Sequence, residues 1–307
     1  MNQSSCRARL SGVFTALVTP MRNGTFDTAA FERHVMGQLE AGIHGLVPVG
    51  TTGEAATLTD AETTQVIRST VAMARGHAFV MAGAGSNATH LTIDKARHAA
   101  DLGVDGLLIV TPYYNKPSQT GLLDHFSAVA VAVDLPIMLY SVPGRTGVEI
   151  AVETAAMLAR NCPNIVGIKE AGGRAERVTE LRLACGEDFI IHSGDDALAL
   201  PFLTLGASGI TSVASNLLPR QLLALYSAWQ AGDVALARRH HENMFDLIRN
   251  LFIESNPVPV KAALAIEGTM TSEVRAPLAQ LQPDSNSTLC ASLIKFREKD
   301  FSDLSIS

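Results

Sequence analysis

Short apolar runs alternate along the chain with longer segments in which apolar residues recur every three or four positions. The first pattern predicts strands that are buried on both faces, and the second predicts amphipathic helices. There are eight strand candidates: Val13–Thr19, Gly45–Val49, Phe79–Ala84, Gly106–Val110, Ile137–Ser141, Ile165–Lys169, Phe189–Ser193 and Gly209–Val213. Helical segments between them include Ala29–Ala41, Asp60–Ala74, Leu91–Leu102 and Val152–Arg160. Thr59 and Glu62 have the spacing of a capping box, which predicts a helix start at that point.

Repeated right-handed strand–helix units close naturally into a barrel when there are eight of them. The alternative is an open, doubly wound sheet, which usually carries a G-x-G-x-x-G loop after its first strand. Here that strand candidate ends in Thr19-Pro20-Met21. We therefore predict an α/β fold, a (β/α)8 TIM barrel formed by residues 1–230, with residues 231–307 as a helical extension packed on it.

Helical patterns continue after the eighth strand candidate. Leu217–Ala231 completes the barrel, while Asp233–Phe252 and Val258–Glu267 begin the extension. The segment Asn256-Pro257-Val258-Pro259 predicts a break between these last two helices, because proline interrupts helical hydrogen bonding. Gln282–Ser287 is predicted to be a polar linker, and the tail from Phe301 is predicted to be frayed.

Composition narrows the class of protein. The chain is 47% hydrophobic and 18% charged, with a net charge of −6, so it predicts a well-filled core and no basic face for nucleic acid. No apolar run reaches the roughly 18 residues of a membrane span, and Met1–Leu10 lacks the apolar region of a signal peptide. The four cysteines are far apart, which favours a reduced, cytoplasmic protein.

Reactive side chains in such barrels lie at the carboxyl ends of the strands. Applied to the strand candidates, this rule selects Thr51, Thr52, Tyr113, Tyr114, Tyr140, Lys169, Asp195 and Asp196.

Lys169 ends an apolar run and is one of six lysines in the chain. Side chains alternate along a strand, so Lys169 is expected to share its face with Gly167 and Ile165, and Gly167 would leave room for a ligand. Removing an ammonium group from water favours the neutral amine, which is the nucleophile of Schiff-base chemistry. The alternative interpretation is an ion pair between Lys169 and Glu170 at the strand end.

Three further features have a structural and a functional interpretation. Gly50–Glu54 is either a tight turn or a loop whose N–H groups and hydroxyls receive a carboxylate. Tyr140 is either a core residue or a proton shuttle beside the lysine. Arg145 is either an exposed arginine without a role or a bidentate clamp for a substrate carboxylate.

Together these residues resemble the dihydrodipicolinate synthase/N-acetylneuraminate lyase family. The resemblance extends from Leu17-Val18-Thr19-Pro20 to Asn256–Lys261. The motifs that carry it are Gly50–Glu54, Thr111–Pro117, Tyr140 with Val142–Thr146, Gly167–Glu170 and Ser193–Asp196.

The resemblance implies that Lys169 forms a Schiff base with pyruvate, which then condenses with L-aspartate 4-semialdehyde to 4-hydroxy-tetrahydrodipicolinate, a step of lysine and diaminopimelate biosynthesis. It makes Thr52, Tyr114 and Tyr140 a proton relay. It assigns the pyruvate carboxylate to Thr51 and Thr52, the semialdehyde carboxylate to Arg145, and substrate binding to Thr211 as well. It implies no metal or organic cofactor. It also implies a homodimer in which Tyr114 reaches the neighbouring site, with a dimer of dimers as the common larger assembly.

Other functions stay open at this point. A pyruvate-forming aldolase or lyase acting on a sugar acid would share the lysine and the tyrosine of this family, but differ in the loops for the second substrate. A keto-acid sensor without catalysis would have lost the lysine or the relay residues. A phosphate-binding barrel would carry a glycine-rich loop after the seventh or eighth strand, where this chain has Ser193–Asp196 and Ser212–Asn216.

One departure from the family concerns regulation. Members inhibited by lysine carry histidine and glutamate in a pocket at the dimer interface. The corresponding positions here hold Asp60, Thr63 and Leu91, although Asn87 and Tyr113 are retained. We therefore expect weak or absent feedback inhibition by L-lysine.

Overall fold

The computed structural model describes residues 8–299, and within this range eight parallel strands close into a barrel. The barrel strands are β1 (Gly12–Ala16), β4 (Gly45–Val47), β5 (Phe79–Gly83), β6 (Gly106–Val110), β7 (Ile137–Ser141), β8 (Ile165–Glu170), β9 (Ile190–Ser193) and β10 (Gly209–Ser212). They follow one another around the barrel in chain order, and β10 pairs with β1 to close it. A separate antiparallel hairpin consists of β2 (Met21–Arg22) and β3 (Thr25–Phe26). The predicted barrel is confirmed.

Helices connect successive barrel strands, and three more follow the barrel. The connecting helices are α1 (Thr28–Glu40), α2 (Asp60–Ala74), α3 (Thr89–Asp101), α4 (Gln119–Ala132), the single turn α5 (Pro143–Thr146), α6 (Val152–Asn161), α7 (Glu176–Cys185) and α8 (Ala199–Thr204), and α9 (Pro219–Gln230) follows β10 as the last helix of the barrel. The extension consists of α10 (Val234–Asn250), α11 (Val258–Ile266) and α12 (Pro283–Arg297). The capping box that the sequence predicts at Thr59 and Glu62 is present, and α2 begins directly after Thr59. None of the helices between residues 8 and 299 has the length and hydropathy that a membrane span requires.

Strand side chains alternate between two apolar layers. Those that point outward form one large core with the surrounding helices, and those that point inward fill the barrel. The inward cluster includes Phe14, Val47, Phe79, Met81, Leu108, Met138 and Ile190. It ends at Tyr140 and Val142 at the carboxyl end of β7, where a cavity opens.

The predicted face of β8 is wrong at its first residue. The pairing with β7 shifts between Ile137 and Met138, which face Ile165 and Gly167, so that Val166 is an extra residue in the strand. Such a bulge changes the face on which the preceding side chain lies. Ile165 therefore packs in the outer core and does not share the inner face with Lys169. Gly167 allows β8 and β9 to pack closely, because a Cβ there would collide with the carbonyl group of Ile190 on β9.

The predicted linker Gln282–Ser287 is also wrong, since α12 begins at Pro283. Proline is tolerated at the first position of a helix, and Asp284 in the first turn interacts favourably with the helix dipole. The residues that anchor α12 lie further along, at Leu289, Leu293 and Phe296. The polar start of the helix conceals this spacing. The tail from Phe301 lies outside the described residues.

Candidate active site

A cavity of about 400 Å³ opens at the carboxyl ends of the barrel strands. Five of the eight residues that the strand-end rule selects lie on its wall, together with Arg145; the five are Thr51, Thr52, Tyr140, Lys169 and Asp195. They come from the loops after β4 and β9, from the strand ends of β7 and β8, and from the turn α5. Because all parallel strands end at the same rim, residues distant in the chain meet in one place.

Lys169 lies on the inner face of β8 and is only 5% exposed. Its register partner on β7 is Tyr140, and the amine Nζ lies 4.3 Å from the centroid of the Tyr140 ring. Between residues 8 and 299, no ion pair or hydrogen bond of the Lys169 amine is found. The amine is therefore available to a ligand in the cavity.

Glu170 is not the partner of this lysine. As the next residue on the strand it points outward, where its Oε2 accepts from Nε of Arg177 at 3.0 Å and its Oε1 accepts from the backbone of Gly172 at 2.7 Å. The interpretation of Lys169 as half of an ion pair with Glu170 is therefore wrong. The alternation of side chains along β8 separates the two residues.

Gly194 provides the space that the lysine side chain occupies. A Cβ at this position would lie 2.7 Å from Cβ of Ala171 and 3.0 Å from Cε of Lys169. Either contact would require the strand ends or the lysine to move. The Ser193-Gly194 step thus allows β9 to pass close to the reactive side chain.

His192 is the register neighbour of Lys169 on the other side, on β9. Burial lowers its pKa to about 4, so the ring is neutral near pH 7. Nε2 lies 2.6 Å from the carbonyl oxygen of Leu10, which can only accept, so Nε2 carries the proton. Nδ1 then accepts from the hydroxyl of Thr211 at 2.9 Å. Thr211 is buried inside the barrel and is not on the cavity wall.

The Gly50–Glu54 loop is stabilised by a buried network of one ion pair and several hydrogen bonds. Nζ of Lys261 on α11 forms an ion pair with Oε1 of Glu54 at 2.6 Å and donates to the carbonyl of Thr19 at 2.9 Å. Oε2 of Glu54 accepts from the backbone N–H of Arg275 at 2.8 Å. Val49 and Glu54 both have positive φ, 50° and 56°, which is unusual for a β-branched residue such as Val49. The network presents Thr51 and Thr52 to the cavity in this backbone conformation.

Arg145 is positioned by the turn α5, which Gly147 terminates in a left-handed conformation. The hydroxyl of Thr111 at the end of β6 donates to that of Thr146 at 2.9 Å and ties the turn to the barrel. Nη2 of Arg145 donates to the backbone carbonyl of Asn256 at 3.2 Å. The guanidinium group retains further donors for a ligand.

Three of the selected residues lie elsewhere. Tyr114 is 90% exposed with a φ of 74°, and Tyr113 beside it is also exposed. Asp196 is buried beneath the site, where it accepts from the hydroxyl of Ser212 and from the N–H groups of Val213 and Ala214. These hydrogen bonds give Asp196 a structural role, because they stabilise the turn after β10.

The C-terminal extension supplies part of the wall that the sequence did not reveal. Its contributions are Ile248, Arg249, Phe252 and Asn256. The first three lie at or just beyond the end of α10, and Asn256 lies in the break before α11. The signal in the sequence that could have found this segment is a polar residue in the proline-rich break between two predicted helices.

Comparison with known proteins places these features in a family. A family model described as the dihydrodipicolinate synthetase (DHDPS) family matches residues 9–295. A 4-hydroxy-tetrahydrodipicolinate synthase from Nitratidesulfovibrio vulgaris (strain DP4) is 48% identical over 281 residues, covering 92% of this chain and 96% of the relative. The solved structure of the 4-hydroxy-tetrahydrodipicolinate synthase from Methylacidiphilum fumariolicum SolV matches with a TM-score of 0.94 and 48% identity, covering 96% and 98% of the two chains. The DHDPS of Cyanidioschyzon merolae, solved with lysine bound, matches with a TM-score of 0.91 and 40% identity, covering 94% and 99%.

Proposed function

The chain belongs to the dihydrodipicolinate synthetase family, and we propose that it condenses pyruvate with L-aspartate 4-semialdehyde to 4-hydroxy-tetrahydrodipicolinate. The observation that carries this proposal is a buried lysine amine that has no counter-ion among residues 8–299 and lies on the wall of a cavity at the carboxyl end of the barrel. This function would place the enzyme in lysine and diaminopimelate biosynthesis.

The reaction begins with attack of Lys169 Nζ on the ketone carbon of pyruvate. Loss of one water gives an iminium ion, and loss of a proton from the pyruvate methyl group gives the enamine. The enamine carbon attacks the aldehyde carbon of the semialdehyde and leaves a hydroxyl group there. The amino group of the former semialdehyde then attacks the iminium carbon, closes the ring and displaces the lysine amine. The protonated imine serves as the electron sink, so we propose that no metal or organic cofactor is needed.

We assign the proton transfers to Tyr140, Thr52 and Tyr114. The ring of Tyr140 lies against the lysine amine, and the hydroxyl of Thr52 lines the same cavity. Tyr114 is almost fully exposed and lies outside the cavity of its own chain. We propose that it enters the site of a second subunit, which makes a homodimer the smallest working unit, with a dimer of dimers as the larger assembly.

Two groups of donors would hold the two carboxylates. The Thr51–Thr52 loop suits the carboxylate of pyruvate, close to Lys169, and Arg145 suits the carboxylate of the semialdehyde. Thr211 remains a predicted substrate-binding residue, although its side chain lies behind the residues that line the cavity. We also propose a cytoplasmic location, in keeping with Cys162, Cys185 and Cys290, which are free thiols.

Borohydride reduction in the presence of pyruvate tests the shared Schiff-base mechanism. We expect a carboxyethyl group on Lys169 after peptide mass mapping, and none in Lys169→Arg. An unmodified Lys169, or an adduct on another lysine, would reject the mechanism. Turnover with L-aspartate 4-semialdehyde, compared with cleavage of N-acetylneuraminate or a 2-keto-3-deoxy sugar acid, then decides between the synthase and a lyase of the same family.

A further inference from the structure

Asn256, a residue of the cavity wall, has a buried side-chain acceptor without a donor among the described residues. The residue lies in the break between α10 and α11, is 6% exposed and forms part of the cavity wall. Its Nδ2 donates to Oγ1 of Thr52 at 3.0 Å, which directs the amide oxygen away from Thr52. That oxygen, Oδ1, is buried and has no hydrogen-bond partner among residues 8–299.

A buried amide oxygen without a donor is destabilising, and most buried polar atoms have a partner. The backbone of Asn256 is already satisfied on its carbonyl side by Nη2 of Arg145. The side-chain oxygen therefore lacks a donor within the described part of the chain, and it belongs to a residue that forms part of the cavity wall. A ligand that brings its own N–H or O–H group would satisfy it.

The contact with Arg145 limits which ligand atom this is. A molecule whose carboxylate binds Arg145 has the atoms next to that carboxylate close to Asn256, because the two residues touch. In an α-amino acid the amino group is attached to the carbon adjacent to the carboxylate. Asp195, an acidic side chain on the same wall, uses its Oδ1 to accept from the backbone N–H of Ala197 at 2.9 Å.

We propose that Oδ1 of Asn256 accepts a hydrogen bond from the α-amino group of the second substrate and so selects an α-amino aldehyde over the same aldehyde without the amine. This assignment rests on the proposed function. The assignment makes the C-terminal extension a determinant of substrate specificity, because the residue that would bind the amino group belongs to the extension and not to a barrel strand. A site built to bond a polar group discriminates against an analogue that lacks it, because its own buried atom is then left unpaired.

The test compares L-aspartate 4-semialdehyde with 4-oxobutanoate, which has the same carboxylate and aldehyde but no amine. The measured quantity is the ratio of the inhibition constant of 4-oxobutanoate to the KM of the semialdehyde, in enzyme saturated with pyruvate. Asn256→Ala should lower this ratio about tenfold. Asn256→Asp retains an acceptor and should keep most of the preference. Asn250→Ala, an asparagine at the end of α10 that is not on the cavity wall, should leave the ratio unchanged.

Each other result counts against the assignment. Asn256 merely positions Thr52 if both variants change kcat and the KM of pyruvate while the ratio stays at the wild-type value. The amide donates to the carboxylate instead if Asn256→Asp weakens both aldehydes equally. Wild-type enzyme that traps pyruvate on Lys169 but does not turn over the semialdehyde would reject the proposed function, and this assignment with it.

Discussion

Lys169 and Lys261 are both buried, yet their surroundings suit them to opposite tasks. Lys261 on α11 is fully enclosed and has two oxygen partners, the carboxylate of Glu54 and the carbonyl of Thr19. Lys169 on β8 has an aromatic ring on one side, a neutral histidine on the other and a cavity in front. Burial by itself therefore does not identify a reactive lysine. The absence of a carboxylate partner and the presence of room for a ligand do.

The two lysines are nevertheless linked through the Gly50–Glu54 loop. Burial is the larger effect on the pKa of Lys261 and lowers it, against the opposing effect of Glu54. The ion pair holds one end of the loop, while Thr51 and Thr52 in its middle face the cavity of Lys169. The structural lysine thus supports the binding surface that the reactive lysine uses.

The largest effect is expected from removing the reactive lysine. Lys169→Ala should lower turnover by about 10⁴-fold or more, because no other amine between residues 8 and 299 lines the cavity to form the Schiff base. Thermal unfolding should change little, since the lysine side chain forms no ion pair with any other residue that the structure describes. A steady-state assay and a melting curve measure the two effects, with exposed Lys95→Ala as the control. Substantial residual turnover would contradict the assignment.

Removing the structural lysine should show the reverse pattern. Lys261→Met leaves the Glu54 carboxylate buried without its cation and should lower the free energy of unfolding by about 3–5 kcal/mol. The folded protein should still trap pyruvate on Lys169. Combining it with Glu54→Gln should recover part of the stability, because the uncompensated charge is then gone. Urea unfolding of wild type, the two single variants Lys261→Met and Glu54→Gln, and the double variant checks this, and equal stability of Lys261→Met and wild type would refute it.

A smaller effect is expected from crowding the reactive lysine without removing it. Gly194→Ala adds a Cβ within 3.0 Å of Cε of Lys169 and should lower kcat/KM by about 10- to 100-fold, since misplacement by an ångström is costly at a reacting atom. Gly37→Ala on α1 is the matched control, because a Cβ there meets nothing within 4 Å. Wild-type kinetics in Gly194→Ala would show that the lysine does not need its present position.

Low pH should weaken the ion pair between Arg275 and Glu62, which adjoins the buried network around Lys261. Arg275, whose backbone bonds Glu54, also pairs through its guanidinium with Glu62, and this hydrogen bond lowers the pKa of Glu62 to about 2. A carboxyl with a depressed pKa adds stability above its ordinary pKa of about 4.5, and this is lost as the pH falls towards 2. Allowing for solvent screening, the loss should be about 1–2 kcal/mol. Unfolding of Glu62→Gln should depend less on pH in this window than unfolding of wild type.

The smallest effect is expected from adding free L-lysine, at positions away from both Lys169 and Lys261. Free L-lysine should not inhibit turnover below millimolar concentration, because Asp60, Thr63 and Leu91 replace the residues of lysine-inhibited members. Asp60 and Leu91 are exposed at and near the starts of α2 and α3. The DHDPS of Cyanidioschyzon merolae, solved with lysine bound, serves as the reference protein for lysine binding. Saturable inhibition of this chain in a steady-state assay would overturn the expectation.

Prediction from sequence succeeded where a pattern is local and periodic. The barrel strands were recognised because each is a continuous apolar run, and β6 and β7 have the predicted bounds. It failed where pairing between strands matters, as at Ile165, whose face depends on a bulge against β7. It failed again at Gln282–Ser287, where a polar first turn hides the anchoring residues of α12.

The amino-acid sequence alone determined the barrel, the end of the barrel that holds the chemistry, and Lys169 as a polar group at the end of a buried strand. These follow from residue type and from spacing within single elements, which are local properties. Only the tertiary structure decided that Glu170 pairs with Arg177, that Lys261 pairs with Glu54, and that Asn256 lies on the cavity wall with an amide oxygen unpartnered among residues 8–299. Each of these contacts joins residues from different elements, and the energy of a buried charge or polar atom depends on the partner that folding brings to it.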